Sequence, residues 1–302
     1  MADKVHLGWI GLGQMGLPMA ERLLGEDVVL HVMDTNPSTV SDLVAKGAVA
    51  HPTPRSVADA AGIVFACLPS QEISRSVAFG SDGVAGGKAI TTYVETSTIG
   101  TETIAAIATE LGEKGIDVVD SPISGGPPAA REGRLAIMVS GPPAALDAVG
   151  PWIARIGKTV VTVGDRPGQG QVMKLVNNLV MAANTVVACE ALVMGAKAGL
   201  DPDTMVDLLS AGTGASRALS DIVAPTALPR LFNFGAHLSI LDKDVTLGVS
   251  EATALGVPVP VIDAARAIWQ SAAHEGYSKR DFTEIAKFIE DRGGASIGRN
   301  KS

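Results

Sequence analysis

Short apolar runs alternate with amphipathic stretches over the first half of the chain, and then the short runs stop. The runs Val5–Ile10, Val28–Met33, Ile63–Leu68, Ala89–Val94, Asp117–Val119, Ala136–Val139 and Thr159–Val163 read as strands. Between them apolar residues recur at helical spacing, as from Thr103 to Leu111, where Gly115 then ends the helix. Strand–helix alternation predicts an α/β unit, a doubly wound, mostly parallel sheet covered on both faces. Turns are expected at Gly141-Pro142-Pro143 and Arg166-Pro167-Gly168.

After Gly170 no further strand is predicted, and helical spacing persists to the end. The first helix, roughly 170 to 199, would be about 45 Å long, enough to join two domains as a spine. Its stretch Leu179 to Leu200 is apolar enough to raise a membrane question. Asn184, Glu190 and Lys197 interrupt it, which favours a helix buried against protein. Asp201-Pro202 marks a helix start as N-cap and N1. Asp281 with Glu284 three residues on has the form of a capping box. The tail Gly293–Gly298 is expected to lack structure. The division is therefore residues 1–164, an α/β domain, and residues 165–302, an all-α domain.

Composition narrows the function classes. Of 302 residues, 46% are hydrophobic and 19% charged, which excludes general disorder. A formal net charge of -8 argues against nucleic acid and anionic membranes as partners. An anionic substrate would then need local positive groups, and Lys174, Arg217 and Lys243 are the candidates. Cys67 and Cys189 fall in apolar segments and read as buried thiols, with neither a disulfide nor a metal site expected. No charged-then-apolar leader precedes the first strand, so the expected location is cytoplasmic.

The first strand runs directly into Gly11-Leu12-Gly13-Gln14-Met15-Gly16, with a helix expected from Pro18 to Leu24. This is the context a dinucleotide needs. Gly11 serves the tight turn, Gly13 the close approach of phosphate, and Gly16 the packing of helix on strand. The helix N-terminus offers N–H groups and partial positive charge to the pyrophosphate. The second strand ends at Asp34, a carboxylate placed to accept from the adenosine ribose diol. No Arg or Lys follows in Thr35-Asn36-Pro37 to hold a 2′-phosphate, so NAD is favoured over NADP. Leu68-Pro69-Ser70 and Glu95-Thr96-Ser97-Thr98 end two further strands and should border the same crevice. Capping of the following helix is the other reading of Ser97 and Thr98.

Lys174 and Asn178 share one helix face at i and i+4. A cofactor cradle followed by an ammonium and an amide suggests hydride transfer with lysine as proton donor and acceptor. A lysine desolvated in a cleft has a lowered pKa and can act as base. An exposed lysine at a helix start remains the alternative. The turn Ser124-Gly125-Gly126, inside Asp120-Ser121-Pro122-Ile123-Ser124-Gly125-Gly126, could donate to a carboxylate as a backbone nest does.

The motifs GLGQMG, DSPISGG, GQGQVMKLVNN and LDKD, in this order, resemble the four signatures of the β-hydroxyacid dehydrogenase family. That family includes 3-hydroxyisobutyrate dehydrogenase, tartronate semialdehyde reductase and, more distantly, 6-phosphogluconate dehydrogenase. The resemblance spans essentially the whole chain. It implies a Rossmann-type NAD-binding domain and an all-α substrate and dimerisation domain, in homodimers or homotetramers. It implies that Lys174 is the catalytic lysine and that Asn178 orients the substrate. By the same likeness Ser124, Gly125 and Gly126 bind its carboxylate, Thr98 touches cofactor and substrate, and Lys243 and Asp244 lie near the nicotinamide. A solvated charge cluster is the other reading of Lys243.

The chain departs from the family turn at Ala129, where glycine is usual, and at Arg134, where threonine is usual, and Pro127-Pro128 would stiffen it. These departures bear on substrate identity. Gly212-Thr213-Gly214-Ala215-Ser216-Arg217 falls in a variable pocket segment, where Arg217 could pair with a second anionic group; a surface arginine is the alternative. The expected activity is NAD-dependent hydride transfer to or from a small 3-hydroxy acid or its semialdehyde. The other readings are an imine or β-keto reductase, against which Lys174 speaks, and a non-catalytic NAD(H)-binding module.

Overall fold

The computed structural model describes residues 4–299. The chain divides into two compact units, Met1–Lys174 and Leu175–Ser302. Among its described residues the first holds nine strands: β1 (Val5–Ile10), β2 (Val28–Met33), β3 (Val49–Ala50), β4 (Ile63–Ala66), β5 (Thr92–Glu95), β6 (Asp117–Asp120), β7 (Ile123–Ser124), β8 (Leu135–Ser140) and β9 (Gly157–Gly164). Its helices are α1 (Gly16–Glu21), α2 (Pro37–Val44), α3 (Pro54–Ala58), α4 (Gln71–Phe79), α5 (Thr101–Gly112), α6 (Gly126–Glu132), α7 (Pro143–Ile156) and the start of α8 (Gln169–Lys197). The strand order is β3-β2-β1-β4-β5-β6-β8-β7, with β9 added parallel to β8. Strands β1 to β6 run parallel, while β8 is antiparallel to β6 and β7.

Alternate residues of each strand feed opposite cores, as the pleat requires. Leu7, Trp9 and Phe65 pack on one face, where Trp9 stacks on Phe65 at 5.4 Å, and Ile10, Val64 and Ala66 pack on the other. Burial on both faces explains why these strands read as continuous apolar runs. From β1 across β2 to the residue after β3, three imidazoles form a line: His6 Nδ1 lies 2.9 Å from His31 Nε2, and His31 Nδ1 lies 2.8 Å from His51 Nε2. Burial, with the two neighbouring rings, lowers the His31 pKa to about 4.

Several sequence expectations shift in detail. Ala89 and Ile90 donate their N–H groups to the Ala58 carbonyl, so β5 starts later, at Thr92, and runs on through Glu95. Helix α1 starts at Gly16 and continues from Glu21 to Leu24 in tighter turns, with Leu23 N donating to Ala20 O and Leu24 N to Glu21 O. The division at Lys174 lies ten residues beyond the expected boundary at 164. The first turn of α8 is hydrogen-bonded into the sheet unit, as described below.

The second unit contains the rest of α8 with α9 (Pro202–Ala211), α10 (Ala224–Thr226), α11 (Leu238–Ala254), α12 (Pro260–Ala272) and α13 (Ile285–Gly293). No strand occurs among its described residues beyond an isolated bridge, His237 to Asp281. Leu179, Val186, Cys189 and Leu192 of α8 join Leu241, Val245, Trp269 and Phe288 in one core. By length and composition α8 could cross a membrane, and 50% of its most apolar window is buried within the protein. Asp201 caps α9 by accepting from Thr204 N at 2.9 Å. Asp281 accepts from Thr283 N at 3.1 Å, but Glu284 does not close the capping box. Its carboxylate pairs with Lys287 at 2.8 Å and Arg280 at 3.4 Å.

The tail is ordered, contrary to its glycine-rich composition. Gly294 takes the left-handed conformation that ends α13, and Ile297 is fully buried. Glu290 accounts for the rest. It accepts from Arg230 at 2.6 Å, Ile297 N at 2.7 Å and Ser296 Oγ at 3.1 Å. Arg299 N then donates to Leu228 O at 2.9 Å.

Candidate functional site

Four loops leave the carboxyl ends of β1, β2, β4 and β5 side by side. Backbone bonds continue the ladder past the strands: Gly11 N to Met33 O, Cys67 N to Ile10 O, and Thr96 N to Ala66 O. Ligands of parallel sheets bind at this edge. It collects Gly11, Leu12, Gly13, Gln14, Met15, Gly16, Asp34, Leu68, Pro69 and Thr98, all expected to meet the cofactor.

The three glycines of the first loop have different environments. Gly11 has φ +92°, and a Cβ there would sit 2.2 Å from Cys67 O. A Cβ on Gly16 would sit 2.0 Å from Gly11 O, so the helix packs directly on the turn. A Cβ on Gly13 meets nothing within 4 Å. Two glycines are thus required by the protein itself, while the third leaves open space over its backbone. That is the provision a pyrophosphate needs, and the loop fits a dinucleotide.

Asp34 is held at the mouth of this turn. Its Oδ2 accepts from Leu12 N and its Oδ1 from Asn36 N at 2.7 Å. Asn36 in turn caps α2 through Ser38 N at 3.1 Å. The carboxylate is therefore oriented by backbone donors on both sides.

Behind Leu68 and Thr98 lies a buried polar network. Ser97 Oγ accepts from Leu68 N at 2.6 Å and donates to Glu95 Oε1. Glu95 is fully buried and also accepts from Tyr93 Oη at 3.0 Å and Ser97 N at 3.0 Å. Burial raises its pKa against the lowering effect of these donors, and raises that of Tyr93 well above the phenol range. Ser97 is thus a bridge between two loops and not a helix cap: α5 has Gly100 at its N-cap and no side-chain cap.

Gln171, in the first turn of α8, carries the network onward. Its Oε1 accepts from Ile99 N at 2.8 Å and Gly100 N at 3.0 Å, and its Nε2 donates to Ser97 O at 3.0 Å and Asp120 Oδ1 at 2.7 Å. Asp120 Oδ2 accepts from Gln171 N at 2.8 Å and Gly168 N at 3.1 Å. Burial pushes the Asp120 pKa up to about 6 despite these donors. Asp120 and Gln171 lie inside the DSPISGG and GQGQVMKLVNN motifs, but the sequence alone assigns neither a role of its own. The signal was available: a glutamine three residues before Lys174 on an apolar helix needs a polar partner when buried.

Lys174 is 8% exposed and Asn178 is 5% exposed, so both face inward on α8. This removes the exposed-lysine reading. In the second unit Asn178 Nδ2 donates to Asp244 Oδ2 at 2.7 Å, and Lys243 Nζ pairs with Asp244 Oδ1 at 2.7 Å. Asn178, Lys243 and Asp244 are therefore one cluster, and Lys243 is an ion-pair partner rather than part of a solvated charge run.

Ser124 ends β7, and Gly125 (φ +138°) and Gly126 (φ +72°) turn the chain into α6. Pro127 and Pro128 sit in the first turn of that helix, where a missing N–H costs nothing. A Cβ on Gly125 would lie 2.8 Å from the Cβ of Ala129, so the alanine itself demands glycine there. Arg134 pairs with Glu132 at the surface. Arg217 has a side chain 94% exposed, paired with Asp221 at 2.8 Å, and borders a pocket of about 300 Å³ lined by Ser210, Ala215, Ser216 and Ser220.

Known proteins resemble the chain over nearly its whole length. Residues 6–164 match the family described as the NAD binding domain of 6-phosphogluconate dehydrogenase. Residues 168–289 match that described as the NAD-binding of NADP-dependent 3-hydroxyisobutyrate dehydrogenase. The chain is 35% identical to 2-(hydroxymethyl)glutarate dehydrogenase of Eubacterium barkeri, over 98% of this chain and 99% of that one. It is 34% identical to 2-hydroxy-3-oxopropionate reductase of Escherichia coli, over 95% and 97%. Among solved structures, 3-hydroxyisobutyrate dehydrogenase of Mycobacterium tuberculosis, with L-serine, superposes with a TM-score of 0.86 at 26% identity, covering 95% of this chain and 99% of that one.

Proposed function

Since the chain belongs to the β-hydroxyacid dehydrogenase family, and is an NAD(P)-dependent enzyme of that family, we propose that it moves hydride between NAD and a small 3-hydroxy acid or its semialdehyde, with Lys174 as general acid and base. The observation that carries this reading is an inward-facing lysine four residues before an amide already fixed by a carboxylate. Held on the glycine turn of β1 and by Asp34, a bound dinucleotide would supply the hydride chemistry, taking hydride from the carbinol carbon in oxidation and giving it to the carbonyl carbon in reduction. Lys174 takes the hydroxyl proton during oxidation and returns it during reduction. Asn178 cannot titrate, and with Nδ2 on Asp244 and Oδ1 receiving Asn177 at 3.0 Å its amide plane is fixed for orienting substrate. Ser124 and the amides of Gly125 and Gly126 receive the substrate carboxylate, and Thr98 lies beside cofactor and substrate. Lys243 and Asp244 set the charge around Asn178, and the family likeness would assign them to the nicotinamide end of the cofactor.

Asp34 supports NAD over NADP. An oriented carboxylate accepts from a ribose diol and repels a 2′-phosphate. Arg217 supports a second carboxylate on the substrate, since three serines and a guanidinium line its pocket and the Eubacterium barkeri relative is named for a dicarboxylic acid. The working assembly in this reading is a homodimer or homotetramer in the cytoplasm.

The test is a panel of mono- and dicarboxylic 3-hydroxy acids with NAD and with NADP, scored by kcat/KM. Lys174→Ala is expected to lower kcat by about 10²–10⁴-fold while the cofactor still binds. Arg217→Ala should lose more on dicarboxylates than on monocarboxylates. Undiminished turnover of Lys174→Ala ends the lysine reading, and equal losses on both substrate classes end the role given to Arg217.

A further inference from the structure

We propose that Gln171 is a positioning residue for catalysis: its side-chain amide locks the turn of α8 that carries Lys174 to the loop that carries Thr98. The inference rests on the reading of Lys174 as the acid/base group. Its grounds lie wholly within the first unit, which ends at Lys174.

A glutamine side chain has two N–H donors and two acceptor positions on its oxygen. Gln171 is fully buried and uses all four. Three of its partners, Ser97 O, Ile99 N and Gly100 N, flank Thr98 on both sides. The fourth, Asp120 Oδ1, belongs to the carboxylate that takes the first backbone donors of α8. A long helix leaves its first N–H groups without internal partners. Here Asp120 receives Gly168 N and Gln171 N, and Ser140 Oγ receives Gly170 N at 2.9 Å. The start of α8 is therefore capped from β6 and β8, not by its own sequence.

The approach is close. A Cβ on Gly170 would stand 2.8 Å from both Asp120 Oδ2 and Met138 O, so the turn cannot slide along the sheet edge. Lys174 follows Gln171 by three residues, about 4.5 Å along the axis and close to the same face. A small rotation or shift of this turn therefore moves the lysine amine directly. Misplacement of a catalytic group by 1 Å can cost about 10²-fold in rate.

A methylene chain of similar length would fill the same volume but abandon all four contacts. The experiment compares the full-length wild type, Gln171→Met, Lys174→Ala and the double variant. Each is measured for kcat, KM, dinucleotide affinity and thermal midpoint. Gln171→Met is expected to lower kcat by about 10²-fold, with dinucleotide affinity changed by far less because the glycine turn and Asp34 are untouched. In the Lys174→Ala background the same substitution should change kcat no further, because residues acting through one group are not additive. Losses that multiply across the two sites, or an unchanged kcat in Gln171→Met, overturn the proposal. Wild-type turnover in Lys174→Ala overturns the lysine reading and this one with it, and is seen without any change at Gln171.

Where Gln171→Met does not fold, Gln171→Glu keeps the shape and places an oxygen against Asp120. Its kcat should fall, and Asp120→Asn in the same chain should recover at least about tenfold by returning an N–H to that contact. A pair as slow as Gln171→Glu alone overturns the proposal.

Discussion

Asp120 and Asp244 are both buried carboxylates, and each receives a side-chain amide from α8, Gln171 in one case and Asn178 in the other. They are balanced differently. Asp120 is surrounded by neutral donors, Gly168 N, Gln171 N, Gln171 Nε2 and Ser140 Oγ, with no cation among these partners. Asp244 faces the ammonium of Lys243 at 2.7 Å, whose side chain is 30% exposed. A carboxylate among neutral donors anchors backbone but pays for its charge by a raised pKa. One paired with a half-exposed ammonium keeps its charge balanced and leaves that ammonium near solvent, as a site for binding anions needs.

Removing the two carboxylates should separate these roles most strongly. Asp120→Ala leaves three buried N–H donors without acceptors and is expected to destabilise the protein by about 3–5 kcal/mol, read by denaturant unfolding. A loss below about 1 kcal/mol would mean that the cap on α8 is dispensable.

Titration is the next largest effect. The folded-state pKa of Asp120, about 6, stands above the ordinary carboxylate value of 3.8. Folding therefore favours the protonated form. Ionised Asp120 costs stability above pH 6, and the cost is relieved as pH falls from about 6 toward 3.8, by about 3 kcal/mol in all. An infrared difference spectrum between wild type and Asp120→Asn should show a protonated carboxyl band with its midpoint near pH 6. A band that grows in only below about pH 4, the ordinary aspartate range, would refute this balance.

Asp244→Asn should have the smallest effect on stability. The amide introduced there can still accept from Asn178, and Lys243 can turn its ammonium toward water, so the expected cost is about 1 kcal/mol. The same variant should raise KM for an anionic substrate or cofactor less than Lys243→Ala does. Equal stability losses in Asp120→Asn and Asp244→Asn would erase the distinction between the two sites.

How far these features could be read in advance depended on the range of the interaction. β1 and β2 begin and end where their apolar runs do, because burial on both faces writes itself into consecutive residues. The two-residue strands β3 and β7 leave no periodic trace, and the late start of β5 depends on a distant carbonyl, Ala58 O. Local chemistry predicted the Asp201 cap, while the order of the tail comes from Glu290 and Arg230, which no local pattern joins to Ile297. The glycine turn, Asp34 and the Lys174–Asn178 spacing were legible as motifs. The hydrogen bonds of Gln171 were not, since they join segments that only folding brings together.

The line of imidazoles at His6, His31 and His51 couples the tautomers of three rings along this edge of the sheet. Each of its two nitrogen–nitrogen contacts has room for one hydrogen. While all three rings are neutral, the tautomer of His31 dictates those of both neighbours, so the trio has two arrangements, related by reversing every bond at once. His6 is the exposed ring of the three and His31 the buried one, so a reversal of these bonds ties the tautomer of an interior ring to that of a ring at the surface.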